Sequence, residues 1–132
     1  MTTVHEEQLD VVQGATFDFE FRWSLDVDDV VTPRPVGHMT AALQVRKSLK
    51  SPVLLEATTE NGLIILGQGT EPDDPETGRI RFLWSGEDTM KIDVAKAVYD
   101  FELYDDHESP VRTYQLLRGS VTNILNVTRA ED

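Results

Sequence analysis

An antiparallel β-sandwich of seven to eight strands, with at most one short helical turn, is the fold class this 132-residue sequence predicts. Three observations carry it. Thr16–Leu25 alternates without a lapse, with Phe17, Phe19, Phe21, Trp23 and Leu25 on one side and Asp18, Glu20, Arg22 and Ser24 on the other. That period of two belongs to a half-buried strand. Val98–Tyr104 alternates in the same way, and Asp105–Pro110 and the long β-branched run Val111–Thr128 follow it, as a hairpin requires. Turn residues recur roughly every ten positions and no stretch sustains a helical period.

In chain order, residues 1–8 read as an N-terminal arm, frayed or docked, and a short strand begins near Leu9 and runs through Val12. Gln13-Gly14 punctuates before the aromatic strand. A row of aromatics at strand spacing is more often core than a sugar-stacking platform, and it is read as core. Asp26–Gly37 is an acidic loop whose Pro33 and Pro35 exclude a helix or a central strand. Met39–Lys47 alternates Met39, Ala41, Leu43 and Val45 inward, and Val53–Thr58 resumes extended structure after Ser48–Pro52. Glu60-Asn61-Gly62 is a turn, because Asn and Gly tolerate positive φ, and Leu63–Leu66 is a short apolar strand. Gly67–Gly78, with four acidic residues and two prolines, is expected to be a mobile surface loop. Arg79–Trp84 is a strand with Ile80, Phe82 and Trp84 in phase, and Ser85 caps a single helical turn before the hairpin. Gly119, inside the last strand, marks a bulge, a bend or a close backbone approach. Residues 126–132 form a C-terminal tail.

At this length one domain, 1–132, is expected, with a two-layer core. There is no cysteine, hence no disulfide and no thiolate metal site. No apolar run approaches the roughly 20 residues that cross a bilayer, and the first residues lack the pattern of a secretion signal, so a chain made in a cytosol and without a membrane partner is expected. Asp+Glu number 24 against 12 Lys+Arg, a formal charge of −12 that repels phosphate backbones and argues against direct nucleic-acid binding.

The order of the phrases Gly14–Phe19, Met39–Ser48, Leu54–Ile65, Thr77–Ile80, Tyr99–Leu103, Val111–Val121 and Asn126–Arg129 resembles a family of small structural proteins of tailed bacteriophages. Its layout is also similar to the immunoglobulin-like N-terminal domain of baseplate upper proteins. The resemblance spans residues 9 to 129 and departs from the pattern twice. Asp26–Gly37 is longer and proline-rich where a short turn is usual, and Lys96-Ala97 stands where a glycine commonly precedes the aromatic strand. It implies an immunoglobulin-like sandwich and a non-enzymatic virion component of tail, baseplate, fibre attachment or neck, assembled in the host cytoplasm. The partners it implies are other virion proteins, with repeated copies or a homo-oligomer.

Candidate chemistry is sparse. His5, His38 and His107 are scattered, with no pair at ligand spacing, so no zinc site is expected. Asp26, Asp28 and Asp29, then Glu71, Asp73, Asp74 and Glu76, then Asp105, Asp106 and Glu108 offer oxygen ligands to calcium if their loops converge, although no EF-hand spacing is present. There is no Gly-x-Ser-x-Gly, and Gly62, Gly67, Gly69 and Gly78 do not build a lysine-terminated phosphate cradle. Asn126–Thr128 matches a glycosylation sequon by chance. The expectation is no catalytic, cofactor or metal residue. The competing reading is a free-standing carbohydrate- or calcium-dependent binding module that uses the acidic loops.

Overall fold

The computed structural model describes residues 5–107 and 109–125, apart from the side chains of residues 25–27. The C-terminal tail, the sequon, Glu108, and the expected inward side chain of Leu25 with the Asp26 carboxylate therefore lie outside the described residues. The fold is all-β and sandwich-like. In chain order the strands are β1 His5–Glu6, β2 Leu9–Val12, β3 Phe17–Arg22, β4 Ser24–Val27, β5 Val30–Pro33, β6 Thr40–Arg46, β7 Val53–Thr58, β8 Ile64–Leu66, β9 Arg79–Trp84, β10 Lys96–Asp105 and β11 Arg112–Ile124, with one helix, α1, at Gly86–Met90.

The larger sheet runs β1-β11-β10-β6-β7, and β2 joins it on β11. Its centre is the β10–β11 hairpin, antiparallel, with a register shift between Phe101 and Glu102. β1 and β2 lie parallel to β11 in succession, at Leu117–Arg118 and then at Val121–Ile124, which makes the sheet mixed. The N-terminal arm is thus docked from His5 onward. Gly119 is the residue that lets it pass: a Cβ there would sit 2.5 Å from the Glu7 carbonyl oxygen. The Tyr99 hydroxyl donates to that same oxygen at 2.7 Å. Burial raises the phenol pKa of Tyr99 far above its ordinary value, and the Glu7 charge adds to the effect.

The smaller sheet is β3-β9-β8. Its inner face supplies Ile80, Phe82 and Trp84, all without exposed surface, and packs on the larger sheet through Phe82 and Phe21 against Phe101, at ring separations of 5.1 and 6.0 Å. Phe17 and Trp23 are buried, whereas Phe19 and Phe21 are half-buried at the margin of this core. The outer face carries a charge ladder. Arg81 grips Asp18 with two hydrogen bonds of 2.8 and 2.6 Å, and Arg79 does the same to Glu20 at 3.0 and 3.1 Å.

The aromatic strand is shorter than its sequence period. At Trp23 the chain leaves the β9 ladder: the Trp23 N–H donates to the Gly78 carbonyl, and the Arg34 N–H donates to the Trp23 carbonyl. Beyond it β4 and β5 form a separate two-stranded hairpin that begins in the last residues read as the aromatic strand and continues into the segment read as a loop. Its turn residues Asp28 and Asp29 both have positive φ, 54° and 65°, as a two-residue hairpin turn requires. Gly78 has φ +79°, and a Cβ on it would lie 2.5 Å from the Trp23 carbonyl oxygen.

Side chains fix several connections between strands. Asn61 closes the β7–β8 turn, its Oδ1 accepting from the Thr58 and Leu63 N–H groups. Ser85 and Asp88 form a capping box on α1. The 67–78 segment, expected to be a mobile surface loop, is tied by hydrogen bonds to itself and to Arg22. The buried Thr77 hydroxyl donates to the Glu71 carbonyl at 2.6 Å, and Arg22 donates to the carbonyls of Thr77 and Asp74. Buried Asn123 holds the 91–95 connection by donating to the Ile92 and Val94 carbonyls.

Candidate functional site

Two places on this scaffold have the make-up of a site: one end of the larger sheet, and its uncovered edge together with that of the smaller sheet. The end site follows from strand period and register. Tyr99, Phe101 and Leu103 point into the core, so Asp105, the last residue of β10 and next in phase, points inward too and is only 4% exposed. Antiparallel pairing sets Tyr104 opposite Thr40. Continuing that register brings the segment just before β6 alongside the end of β10, and His38 arrives beside Asp105.

The His38 Nε2 lies 3.3 Å from the Asp105 Oδ2. Two residues beyond Asp105, the chain turns and the His107 N–H donates to Asp105 Oδ1 at 3.1 Å. The two imidazoles face each other with centroids 4.9 Å apart. One ligand-capable atom from each of His38, Asp105 and His107 lies within 4.8 Å of the others. Behind them Arg34 stands with its Nη2 3.9 Å from Asp105 Oδ2. Its guanidinium lies over the rings of Trp23 and Tyr114, at 5.0 and 5.1 Å, and donates to the Tyr114 hydroxyl at 3.2 Å. Burial by itself would raise the Asp105 pKa. The His107 N–H and His38 outweigh it, so the carboxyl is held below its usual range and stays ionised at neutral pH.

Among the described residues, the acidic side chains proposed for calcium do not gather. Asp28 and Asp29 sit exposed at the tip of the β4–β5 hairpin. Glu76 pairs with Arg79, and Asp74 Oδ1 accepts from the Glu76 N–H inside its own loop. Among the described residues, Asp105 is the one member of those three groups that joins a cluster of three ligand-capable side chains. His38 and His107 belong to that cluster too, although they are 69 positions apart in the sequence and no spacing links them. His5 lies exposed on β1 and is not part of it.

The edges form the second feature. β7 ends the larger sheet and β8 ends the smaller one, and among the described residues no strand pairs with the outer side of either. They are consecutive in the chain, and each presents an exposed apolar residue, Val53 and Ile65. Ile65 borders a shallow groove of about 420 Å3 that Met39, Gly62 and Gln68 also line. A second groove, of about 470 Å3, opens where β2 and β3 diverge, lined by Glu7, Asp10, Val12 and Thr16–Asp18. The aromatic stripe of β3 is spent on the core, and Trp23 is covered by Arg34 and Tyr114, so these rings offer no sugar-stacking platform. No protein-family model and no curated protein matches the chain.

Proposed function

We propose that this chain is a non-enzymatic structural component of a tailed-bacteriophage particle, a tail, baseplate, fibre-attachment or neck protein placed in repeated copies by protein–protein contacts. The resemblance in the order of its strand-and-turn phrases is one support. The observation that carries the reading is that, among the described residues, β7 and β8 end their sheets with no strand on their outer sides, beside exposed Val53 and Ile65. The Asn61 side chain caps the Thr58 N–H and the Glu56 carbonyl there, and Gln68 caps the Leu66 carbonyl. An open edge is a template for a strand from another chain, and natural monomers usually blunt it. The projecting β4–β5 hairpin, with Val30 and Val31 exposed, adds a second contact element separate from both sheets.

Assembly is tested by following the chain into particles. Intact particles purified through density gradients should contain it at fixed stoichiometry, in contact with tail, baseplate, fibre or neck proteins. A chain found only as a free monomer, or one that turns over a substrate when purified, would overturn the proposal.

A further inference from the structure

We infer that His38, Asp105 and His107 form a binding site for a divalent transition-metal ion of zinc's type, which staples the β10–β11 turn to the segment entering β6. The inference is independent of any role in a particle. Its first support is chemistry: two imidazole nitrogens and one carboxylate oxygen are a donor set suited to zinc and its neighbours, and leave a fourth position for water. Calcium and magnesium prefer an all-oxygen shell.

Geometry is the second support. Zinc bonds of about 2.0–2.1 Å at a tetrahedral angle set neighbouring donor atoms roughly 3.3–3.4 Å apart. The His38 Nε2 and Asp105 Oδ2 are 3.3 Å apart, and all three donor atoms fit within 4.8 Å. Both imidazoles are exposed, so a small side-chain rotation of His107 closes what remains.

Pre-organisation is the third. Asp105 is fixed by burial, and its Oδ1 is occupied by the His107 N–H, which leaves Oδ2 as the ligating oxygen. Arg34 brings an opposing charge close by, and its guanidinium is held back against Trp23 and Tyr114 with Nη2 3.9 Å from that oxygen. A cation on the His38 side of the carboxylate shares it with Arg34 and does not displace it. The effect is a metal link between two chain segments that already meet through the His38–Asp105 and Arg34–Asp105 pairs and the His38–His107 ring contact.

Zinc chloride titrated into chelator-stripped protein should bind at one equivalent per chain and raise the melting temperature as zinc increases. Cobalt in its place should give the visible absorption of a tetrahedral site. His107→Ala and His38→Ala should each weaken zinc binding at least about tenfold, given that even outer partners of a metal site are worth 10–100-fold. The His107 ring is exposed, so the zinc-free melting temperature of His107→Ala should stay near that of the parent, whereas His38→Ala also removes a partner of the buried Asp105 carboxylate and should lower it. His107→Ala removes the ring and keeps the backbone N–H to Asp105, so it reads ligation apart from folding. Zinc affinity unchanged in the double variant would mean an adventitious ion only and would overturn the site. So would the absence of stoichiometric binding, or displacement of zinc by calcium.

Discussion

Phe82 and Phe19 face each other across β3 and β9, in register and with rings 5.8 Å apart, yet they differ in what surrounds them. Phe82 has no exposed surface and also touches Phe21, Trp84 and Phe101, whereas Phe19 is half-buried. Truncation costs the lost transfer energy plus the cavity left behind, and a partly wet site leaves less of a cavity. Phe82→Ala should therefore cost about 3–5 kcal/mol in urea unfolding, and Phe19→Ala clearly less. Equal losses would place Phe19 deeper than the structure has it. The alternation of β3 made its inward side legible but not the depth of each ring, because depth depends on where the second sheet ends. On the outer face, hydrogen bonds from Arg81 and Arg79 hold the Asp18 and Glu20 carboxyls below their ordinary values of 3.8 and 4.5. A folded-state pKa below the unfolded one gives stability that is present above the ordinary carboxylate range and lost as pH falls through the depressed values. The stability advantage over an Asp18→Asn/Glu20→Gln variant should thus be small near neutral pH, shrink in high salt, and be lost on acidification through the depressed carboxyl values. An advantage that grows in acid would contradict the assigned pairs.

Among the elements, the N-terminal strands show most clearly how far local pattern reaches. Leu9 and Val11 alternate with Asp10 and Val12 as a strand should, and both are buried, so the existence of β2 was legible. Its parallel pairing with β11, nearly the whole chain away, was not: strand period says which side is buried and never names the neighbour. Gly119 was the clue. The passage it opens is occupied by Glu7, whose carbonyl takes the Tyr99 hydroxyl and whose N–H donates to the Arg118 carbonyl at 3.0 Å. Gly119→Ala puts a methyl group where that backbone runs. The expected outcome is faster amide hydrogen exchange across residues 5–12, with β6 and β9 still protected. Uniformly unchanged exchange would mean that the arm does not dock there. The β4–β5 hairpin was missed for a different reason: its turn is Asp28-Asp29, not Asn-Gly, and Pro33 at its far end argues against a central strand without excluding a two-stranded ribbon. In 67–78 the short polar residues that suggested mobility instead bond to one another about Thr77. The His38–Asp105–His107 cluster was hidden because only the β6–β10 register brings its members together.

At the scale of the whole molecule, two sheets close a core, and among the described residues β7 and β8 end their sheets with no strand on their outer sides; those edges connect the fold to the proposed assembly. The larger sheet ends in β7 on one side and in β1 and β2 on the other, and the smaller sheet ends in β8 and β3; β7 and β8 are consecutive in the chain, and each is a place where another strand can be added. Val53 and Ile65 point outward and are 39% and 41% exposed, which means that their apolar surface contributes little to the isolated fold. Lysine on an edge strand is a common natural device against strand addition, because its charge cannot be buried cheaply in a new interface. The double substitution Val53→Lys/Ile65→Lys should shift stability by no more than about 0.5–1 kcal/mol, as surface changes usually do. Incorporation into particles, or self-association of the purified chain, should drop sharply in the same variant. A control pair at Leu49 and Val111, exposed but outside the strands, should leave both properties near the parent's. Particles that take up the edge variant at full stoichiometry would show that β7 and β8 are not the contact surface, and would turn attention to the Val30–Val31 hairpin.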